Sequence, residues 1–451
     1  MGIKMNNILK IFAVTAFGLA ACTTGIGAPP AGKTDPAQIS EPAEVPDESG
    51  PSEKAEQPEA TDLQEADRGT EGGESIQDAE SNSASSETTG EERDIELLDP
   101  DETPPQGAEF QFSTDFSIHS VPYSEILSGG PPRDGIPAVD DPKFVPVEDA
   151  GEWLDPLEPV LLFQHGDEVR AYPVQILMYH EIVNDSVGDL AVTLTFCPLC
   201  NTGIAFERKV DGEVLDFGTT GRLRFSNLIM YDRQTETWWQ QASGQAIAGE
   251  LTGKSLTFLP VSMVSWEQFK ESFPDGQVLS RDTGFQRPYG RNPYAGYDNI
   301  NNPPFLYRGP ATPGELPAVA RVLTIDMGEE AAAYPYETLQ EVKVVNDTVG
   351  GQDVVVLWQA GTTSALDANS VAGGRDIGAA SAFSREVDGR ILTFSHDGEK
   401  IVDDQTGSEW NLLGTAVSGE LEGIRLEPVV AINHFWFSWA AFKPETRIYQ
   451  P

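Results

Sequence analysis

The chain has 451 residues, with 72 Asp and Glu against 29 Lys and Arg and a formal net charge of −43. Neutralising phosphates needs clustered Lys and Arg, so this balance argues against nucleic acid as a partner and against a polybasic grip on anionic lipid. The length suggests two or three domains. Three cysteines are too few for a disulfide-dense scaffold.

The N-terminus has the pattern of a lipoprotein signal peptide, which we predict over residues 1–21. The run from Ile11 to Ala21 is uncharged and falls short of the ~20 residues that span a bilayer. It ends in small residues directly before Cys22, as in bacterial lipoproteins whose cysteine carries a diacylglycerol. We therefore predict that acylated Cys22 inserts in the lipid bilayer and holds the protein in the cell envelope, outside the cytoplasm, at the outer membrane or cell surface. The alternative is an ordinary secretory peptide that happens to contain a Cys.

An acidic, disordered linker is predicted over residues 22–110. Between residues 23 and 110 there are 24 acidic and four basic side chains and almost no aromatic ones. That composition buries too little apolar surface to offset chain entropy, and like charges extend the chain. We expect a tether that holds the globular part away from the membrane.

The remaining chain contains one pattern twice. Ala171–Pro173 recurs as Ala333–Pro335, and Asn184–Gly188 recurs with one change as Asn346–Gly350, both at a spacing of 162 residues. Matches in one order over more than a hundred residues indicate an internal duplication. The further matches are Val210–Glu213 with Val387–Arg390, Trp239 with Trp410, and Trp266 with Trp439.

The predicted fold class is α+β and β-rich, with two tandem copies of one mostly antiparallel unit that also contains short helices. We assign the first segment to residues 111–283, an irregular connector to 284–320, and a second, degenerate segment to 321–451. Asp-Gly pairs between short apolar runs predict a two-residue hairpin turn in each segment. The apolar positions of 265–272 predict a short helix that Pro274 ends.

The first segment also resembles a known family. Phe196–Gly203 reads FCPLCNTG, and it lies between His180–Asp185, HEIVND, and Trp238–Gln241, WWQQ. Together with Ser226–Asp232, SNLIMYD, these linked motifs are similar to the bacterial and archaeal domain of unknown function 3179 family. The resemblance covers roughly 130 to 300 and, more faintly, the second segment. It implies no reaction, cofactor or ligand.

The second segment serves as an internal control, because residues that it lacks are not required by the shared fold. Cys197–Cys200 aligns with Trp358–Gly361, and His180–Glu181 aligns with Val342–Lys343. A stretch that contains Arg222, Ser226 and Asn227 is mostly missing from it. The shared absence of these features predicts one site in the first segment, where Arg222, Ser226 and Asn227 would bind a small polar or anionic ligand. Independent drift of three surfaces is the alternative.

The Cys197-Pro-Leu-Cys200 turn leaves three interpretations open. Its thiolates have the spacing of one half of a tetrahedral metal site, and with His180 they would form an open site for zinc or copper. In an oxidising compartment the pair could instead be a plain disulfide. The third interpretation is a redox-active dithiol, against which stands its position between strands rather than at the start of a helix.

These features predict a surface-anchored lipoprotein with a metal-binding or metalloenzyme centre in its first segment. The alternative is a non-catalytic envelope binding or scaffold protein whose CxxC is a structural disulfide. The substrate, the reaction and the oligomeric state do not follow from the residues.

Overall fold

The computed structural model of the protein describes residues 95–451, so the predicted signal peptide, Cys22 and most of the predicted linker lie outside the described residues. The predicted end of the linker at residue 110 is wrong. The backbone N–H of Leu98 donates to His119 O at 2.9 Å, and Ala108 is fully buried. The apolar side chains that follow residue 95 give this stretch a surface to bury, which the acidic residues before it lack.

The first segment forms three sheets and a hairpin. In sheet order, one sheet is β1-β10-β11-β12-β13, the second is β14-β7-β6-β5, and the third is β15-β3-β4-β16-β2, with β8-β9 as the hairpin. The strands are β1 (Ile126–Ser128), β2 (Phe144–Pro146), β3 (Pro159–His165), β4 (Glu168–Pro173), β5 (Ile182–Val187), β6 (Leu190–Cys197), β7 (Thr202–Glu207), β8 (Lys209–Val210), β9 (Glu213–Val214), β10 (Phe217–Arg224), β11 (Asn227–Asp232), β12 (Trp238–Gln240), β13 (Gln245–Ala248), β14 (Phe258–Leu259), β15 (Ser262–Ser265) and β16 (Gln277–Leu279).

The second segment also forms three sheets and a hairpin. Their orders are β28-β17-β18-β29, β19-β20-β21 and β24-β25-β26-β27, with β22-β23 as the hairpin. The strands are β17 (Arg321–Asp326), β18 (Ala331–Pro335), β19 (Val344–Val349), β20 (Gln352–Gln359), β21 (Ala379–Ser384), β22 (Glu386–Val387), β23 (Arg390–Ile391), β24 (Phe394–His396), β25 (Ile401–Asp403), β26 (Glu409–Trp410), β27 (Ala416–Ser418), β28 (Ala431–Phe435) and β29 (Arg447–Ile448).

The helices are short, with three in the first segment and two in the second. They are α1 (Val147–Ala150), α2 (Val174–His180), α3 (Trp266–Ser272), α4 (Tyr336–Val342) and α5 (Trp436–Ala440). The predicted helix near residue 265 is α3, which Ser265 caps by accepting from the N–H of Gln268. Within the described part of the chain, no helix has the length and apolar character needed to cross a membrane.

Pairing between the named strands is antiparallel except at one place in each segment. β16 pairs in parallel with β4, and β29 pairs in parallel with β18. The β-rich, mostly antiparallel architecture predicted from the sequence is therefore confirmed. Both predicted hairpin turns are also present, with Asp211 and Asp388 each at φ 50° before a glycine, as a type I′ turn requires.

Strand register corrects two of the residue matches between the segments. β15 ends at Ser265 opposite Pro159, and β28 ends at Phe435 opposite Arg321, so Trp436 rather than Trp439 corresponds to Trp266. The sequence match slipped by three residues because α5 contains tryptophans at both 436 and 439. The N–H of Phe196 donates to Glu181 O, and the N–H of Trp358 donates to Lys343 O in the same way. Trp358 therefore corresponds to Phe196, and the predicted alignment of Cys197 with Trp358 is wrong by one residue.

The two segments share apolar cores. One cluster of buried side chains contains Trp266 and Phe269 from the first segment together with Phe383 and Trp410 from the second. Because burial of apolar area is the main favourable term in folding, this shared cluster joins the segments into one unit. The unit brings residues of the second segment and the connector up to the CxxC turn.

Candidate functional site

The CxxC turn connects two strands of one sheet. β6 ends at Cys197, Pro198–Cys200 forms a single 3₁₀ turn, and Asn201 at φ 51° leads into β7. Proline at the first position of the turn and asparagine in the left-handed conformation both favour this geometry. Cys197 pairs with Thr202 across the hairpin. The predicted strand–turn–strand context is confirmed.

The two thiols are buried and touch each other. Cys197 is 2% exposed, Cys200 is 0% exposed, and their sulfur atoms lie 3.0 Å apart. The Cys200 thiol also reaches Asn227 Oδ1 at 3.1 Å and Ser226 O at 3.4 Å. Burial, and then the neighbouring Cys197, raise the pKa of Cys200 well above its usual value. The surroundings therefore favour a neutral thiol over a thiolate.

Asn227 is fixed from two sides. Its Nδ2 donates to Phe225 O at 2.9 Å, and its Oδ1 accepts from Ser438 Oγ at 2.8 Å as well as from Cys200. Phe225 and Ser226 form the β10–β11 turn at φ 52° and 65°, a conformation that is uncommon for residues other than glycine. Ser226 and Asn227 thus lie at the thiols, as the sequence predicts.

Arg222 belongs to a different neighbourhood. It lies within β10 opposite Ile229, and its Nη2 donates to Gln106 O at 2.8 Å. Residues 217–224 continue as a strand through an irregularity between Thr219 and Arg222. The predicted ligand-binding group of Arg222, Ser226 and Asn227 is therefore divided, because Arg222 interacts with the N-terminal stretch that the sequence had assigned to the linker.

His180 is the last residue of α2 and is buried. Its Nδ1 lies 2.7 Å from Pro137 O, and its Nε2 lies 2.6 Å from the hydroxyl of Tyr289. Burial lowers its pKa. The described residues contain no group of three or more His, Cys, Asp or Glu side chains that could hold a metal ion. The expected grouping of His180 with the two thiols is therefore not found, because both ring nitrogens are occupied elsewhere.

Glu181 is a neighbour of the thiols that the sequence did not single out for this role. It caps α2 at φ 57°, and its carbonyl accepts the N–H of Phe196 at 2.8 Å, next to Cys197. The residue is 8% exposed, and burial raises its carboxyl pKa to about 8. Its charge is among the influences that raise the pKa of Cys200. A sequence signal existed, because Glu181 is replaced by Lys343 in the second segment.

The connector and the second segment supply further contacts. The Tyr297 hydroxyl donates to Leu199 O at 3.0 Å, inside the CxxC turn. Thr202 Oγ1 donates to Cys200 O at 3.1 Å and lies 3.0 Å from His434 Nδ1. Burial lowers the pKa of His434 to about 3. These contacts join residues up to 232 positions apart in sequence, so no local motif could have predicted them.

The sulfur and oxygen atoms at the CxxC turn determine what chemistry the site can carry out. It holds two adjacent sulfurs, a buried carboxyl, and oxygen atoms placed to accept a hydrogen bond from the Cys200 thiol, which burial keeps protonated. Neutral thiols are poor metal ligands and slow nucleophiles, since the thiolate is the reactive form. They are close enough to each other to form a disulfide after a small movement.

Comparison with known proteins identifies the family but supplies no activity. No curated protein and no solved structure gives a match to the chain. The family model described as "Protein of unknown function (DUF3179)" matches residues 133–446, which is more than half of the chain and covers most of both segments. The chain therefore belongs to the DUF3179 family.

Proposed function

We propose that this protein is a lipid-anchored, extracytoplasmic member of its family in which Cys197 and Cys200 form a reversible disulfide. Acylated Cys22 would hold it at the outer membrane or cell surface. The two segments would be an internal duplication in which only the first kept the thiols. The observation that carries the proposal is the contact of the two sulfurs at 3.0 Å in a buried site with built acceptors for a thiol.

Reversibility is supported by Asn227. A purely structural disulfide needs no hydrogen-bond acceptor at its sulfur, yet Cys200 has Asn227 Oδ1 and Ser226 O within reach. These acceptors stabilise the reduced form, because a buried S–H is satisfied there. Their presence therefore favours a pair that spends time in both states. On oxidation, the two thiols transfer two hydrogen atoms, with their electrons, to an external disulfide. Cys197 and Cys200 then form a disulfide, and the external disulfide becomes two thiols.

The duplication is supported by side-chain contacts that recur in both segments. Trp239 Nε1 donates to Asp232 at 2.9 Å, and Trp410 Nε1 donates to Asp403 at 3.0 Å. The amide of Asn184 binds the backbone of Phe217 in the first segment, just as Asn346 binds Phe394 in the second. Contacts that recur in both segments belong to the shared fold. The two thiols are not among them, so they were either added to the first segment or lost from the second.

The metal interpretation has less support than the disulfide. Zinc and copper both need deprotonated thiolates, and closed zinc sites usually have four ligands. The described residues contain no group of three or more His, Cys, Asp or Glu side chains that could supply such a ligand set. A stoichiometric metal in the purified protein would nevertheless overturn the proposal.

A redox titration tests the proposal. Full-length protein in detergent is equilibrated with mixtures of reduced and oxidised dithiothreitol, quenched in acid and alkylated, and the 197–200 peptide is measured by mass spectrometry. We expect the disulfide to convert into two thiols in a single transition, with a reduction potential above about −300 mV. Cys197→Ser should abolish the transition and is the control. A potential well below that value would mean a structural disulfide, and a pair that stays reduced under oxidising conditions would contradict the proposal.

A further inference from the structure

One stretch of the connector, residues 289–298, contacts the CxxC turn that carries the thiols, and we call it the strap. All residues of the strap are described, and none of them belongs to a helix or to one of the strands. Tyr297 donates to Leu199 O within the CxxC turn, and Tyr294 and Tyr297 pack against the core cluster that includes Phe196. Cys197 and Cys200 are 2% and 0% exposed, so an external disulfide or thiol cannot reach them unless part of their surroundings moves.

The strap is held at both ends by polar contacts. At one end the Tyr289 hydroxyl lies 2.6 Å from His180 Nε2 and 2.6 Å from Thr283 Oγ1. At the other end the fully buried carboxylate of Asp298 receives Arg321 and Arg375, each at 2.8 Å, and Ser364 Oγ at 2.5 Å. Removing one partner of a buried ion pair is expensive, because it leaves the other charge uncompensated.

Between these ends the strap is attached to residues 367–371 of the second segment. Gly290 O accepts the N–H of Val371 at 2.9 Å, the N–H of Gly296 donates to Asp367 O at 2.7 Å, and Arg291 forms an isolated antiparallel bridge with Ser370. Asn292 donates from Nδ2 to Ala368 O at 2.7 Å, and its N–H donates to Asn369 O at 2.9 Å. Arg291, Pro293, Ala295 and Gly296 are exposed. These backbone contacts form one isolated bridge and not a continuous ladder between strands, so the strap can open at lower free energy than the sheets around it.

We propose that the strap is a lid over the Cys197–Cys200 pair and that Asp298, with Arg321 and Arg375, is the latch that controls access to the thiols. The inference rests on the proposed thiol–disulfide function, which it extends by naming how the pair is regulated. It also accounts for the joint absence of His180 and the thiols from the second segment. His180 binds Tyr289, so it belongs to the cover of the thiols rather than to a metal site.

Thiol alkylation kinetics test the latch. Full-length protein is reduced, freed of reductant and treated with iodoacetamide under native conditions, and labelling of Cys197 and Cys200 is followed by mass spectrometry. Asp298→Asn keeps the size of the side chain but removes the charge that both arginines bind. We expect it to accelerate labelling of both cysteines at least tenfold. Tyr289→Phe, which removes only the hydroxyl that binds His180, should accelerate labelling about threefold, as expected for one weak contact.

The matched control is Asp185→Asn. Asp185 is also a buried aspartate, with Arg170 at 2.6 Å and the Tyr172 hydroxyl at 2.5 Å, but it lies in β5 and makes no contact with the strap. It should change the labelling rate less than twofold even if it lowers the melting temperature as much as Asp298→Asn does. Equal acceleration by both aspartate variants would mean global unfolding and would overturn the latch. So would unchanged labelling in both Asp298→Asn and Tyr289→Phe.

The two proposals can fail separately. Labelling uses the reduced protein and needs no disulfide, so a pair that never oxidises would refute the redox function and leave the labelling result interpretable. A normal redox transition with no effect of either strap variant would refute the lid alone. If Asp298→Asn does not fold, Tyr289→Phe still decides the question.

Discussion

At the scale of single residues, Asn227 holds the site together by accepting two hydrogen bonds at once. Its Oδ1 receives Cys200 Sγ at 3.1 Å and Ser438 Oγ at 2.8 Å. One side chain thereby connects the thiols to α5 in the second segment. Sequence comparison between the segments identified Asn227, but the donor from Ser438 is a long-range contact that no spacing in the sequence predicts.

Asn227→Ala should destabilise the reduced protein more than the oxidised one. Both forms lose the acceptor for Ser438, but only the reduced form has an S–H on Cys200 that also loses its partner. An unsatisfied buried donor costs about 1–3 kcal/mol. Urea unfolding of both redox forms measures the difference. Asn184→Ala, which removes another buried amide bound to Phe217 and not to the thiols, is the control that should affect both forms alike. An equal loss of stability in both forms of Asn227→Ala would show that Asn227 does not serve the thiol.

Glu181 should make stability depend on pH. Its pKa is 4.5 without the fold and about 8 within it, so the native state holds a proton that the unfolded chain releases. The stability this group contributes is fully present below pH 4.5 and is lost as pH rises to about 8. Glu181→Gln removes the effect. The free energy of unfolding of the variant relative to the parent should rise by about 1.4 kcal/mol per pH unit across that window and then level.

Glu158→Gln is the matched control for this measurement. Glu158 is also buried, and burial raises its pKa to about 7, but its carboxylate binds Gln175 at 2.5 Å in another part of the first segment. Its variant should show the same sign of pH dependence, with levelling near pH 7 instead of 8. A flat difference for Glu181→Gln would mean that its carboxyl is ionised and solvated in the native protein.

At the scale of secondary-structure elements, the predictions that depend only on interactions between neighbouring residues are confirmed. The Asp-Gly pairs predict two-residue hairpins because only residues tolerant of positive φ fit both turn positions. The cap at Ser265 and the break at Pro274 define α3 in the same way. His180–Glu181 shows the limit. His180 ends α2 and Glu181 caps it, and no local pattern predicts this arrangement, because the turn after the helix depends on pairing with β6.

Asp232 and Asp403 are predicted to support the same element in the two segments. Each carboxylate accepts from a threonine at 2.6 Å, through the backbone N–H of Thr235 or Thr406, and from a buried tryptophan, through Nε1. Hydrogen bonds to a charged group contribute about 1.5–3 kcal/mol each. Asp232→Ala and Asp403→Ala should therefore each lower the free energy of unfolding by about 3 kcal/mol or more. A negligible effect at either position would contradict an equivalent role in the fold.

At the scale of the whole molecule, the sequence predicted the β-rich class and its antiparallel pairing, but it did not predict how the site is assembled. Three parts of the chain meet at the CxxC turn: Asn227 from the first segment, Tyr297 from the connector and Ser438 from the second. The connector is predicted as an irregular stretch over 284–320, and the proposal that part of it covers the thiols follows only from the tertiary packing. The shared core is what places these residues together.

Anchoring is a prediction about the mature protein that lies outside the described residues. Cys22→Ser removes the thiol that a diacylglycerol would modify, so the variant should leave the membrane fraction and appear in a detergent-free wash. Thr23→Ser, at the next position, should stay with the membranes and is the control. A Cys22→Ser protein that still sediments with membranes would exclude the lipoprotein assignment.

The central claim is that Cys197 and Cys200 form a reversible disulfide beneath the strap, and their state in the cell tests it most directly. Cells are quenched in acid, free thiols are alkylated, and the 197–200 peptide is measured before and after mild reduction, alongside the metal content of the purified protein. The account predicts a peptide that is lighter by two hydrogens than the dithiol form, resistant to alkylation until reduced, and free of stoichiometric metal. A peptide with both thiols reduced and one zinc or copper ion per chain would contradict it.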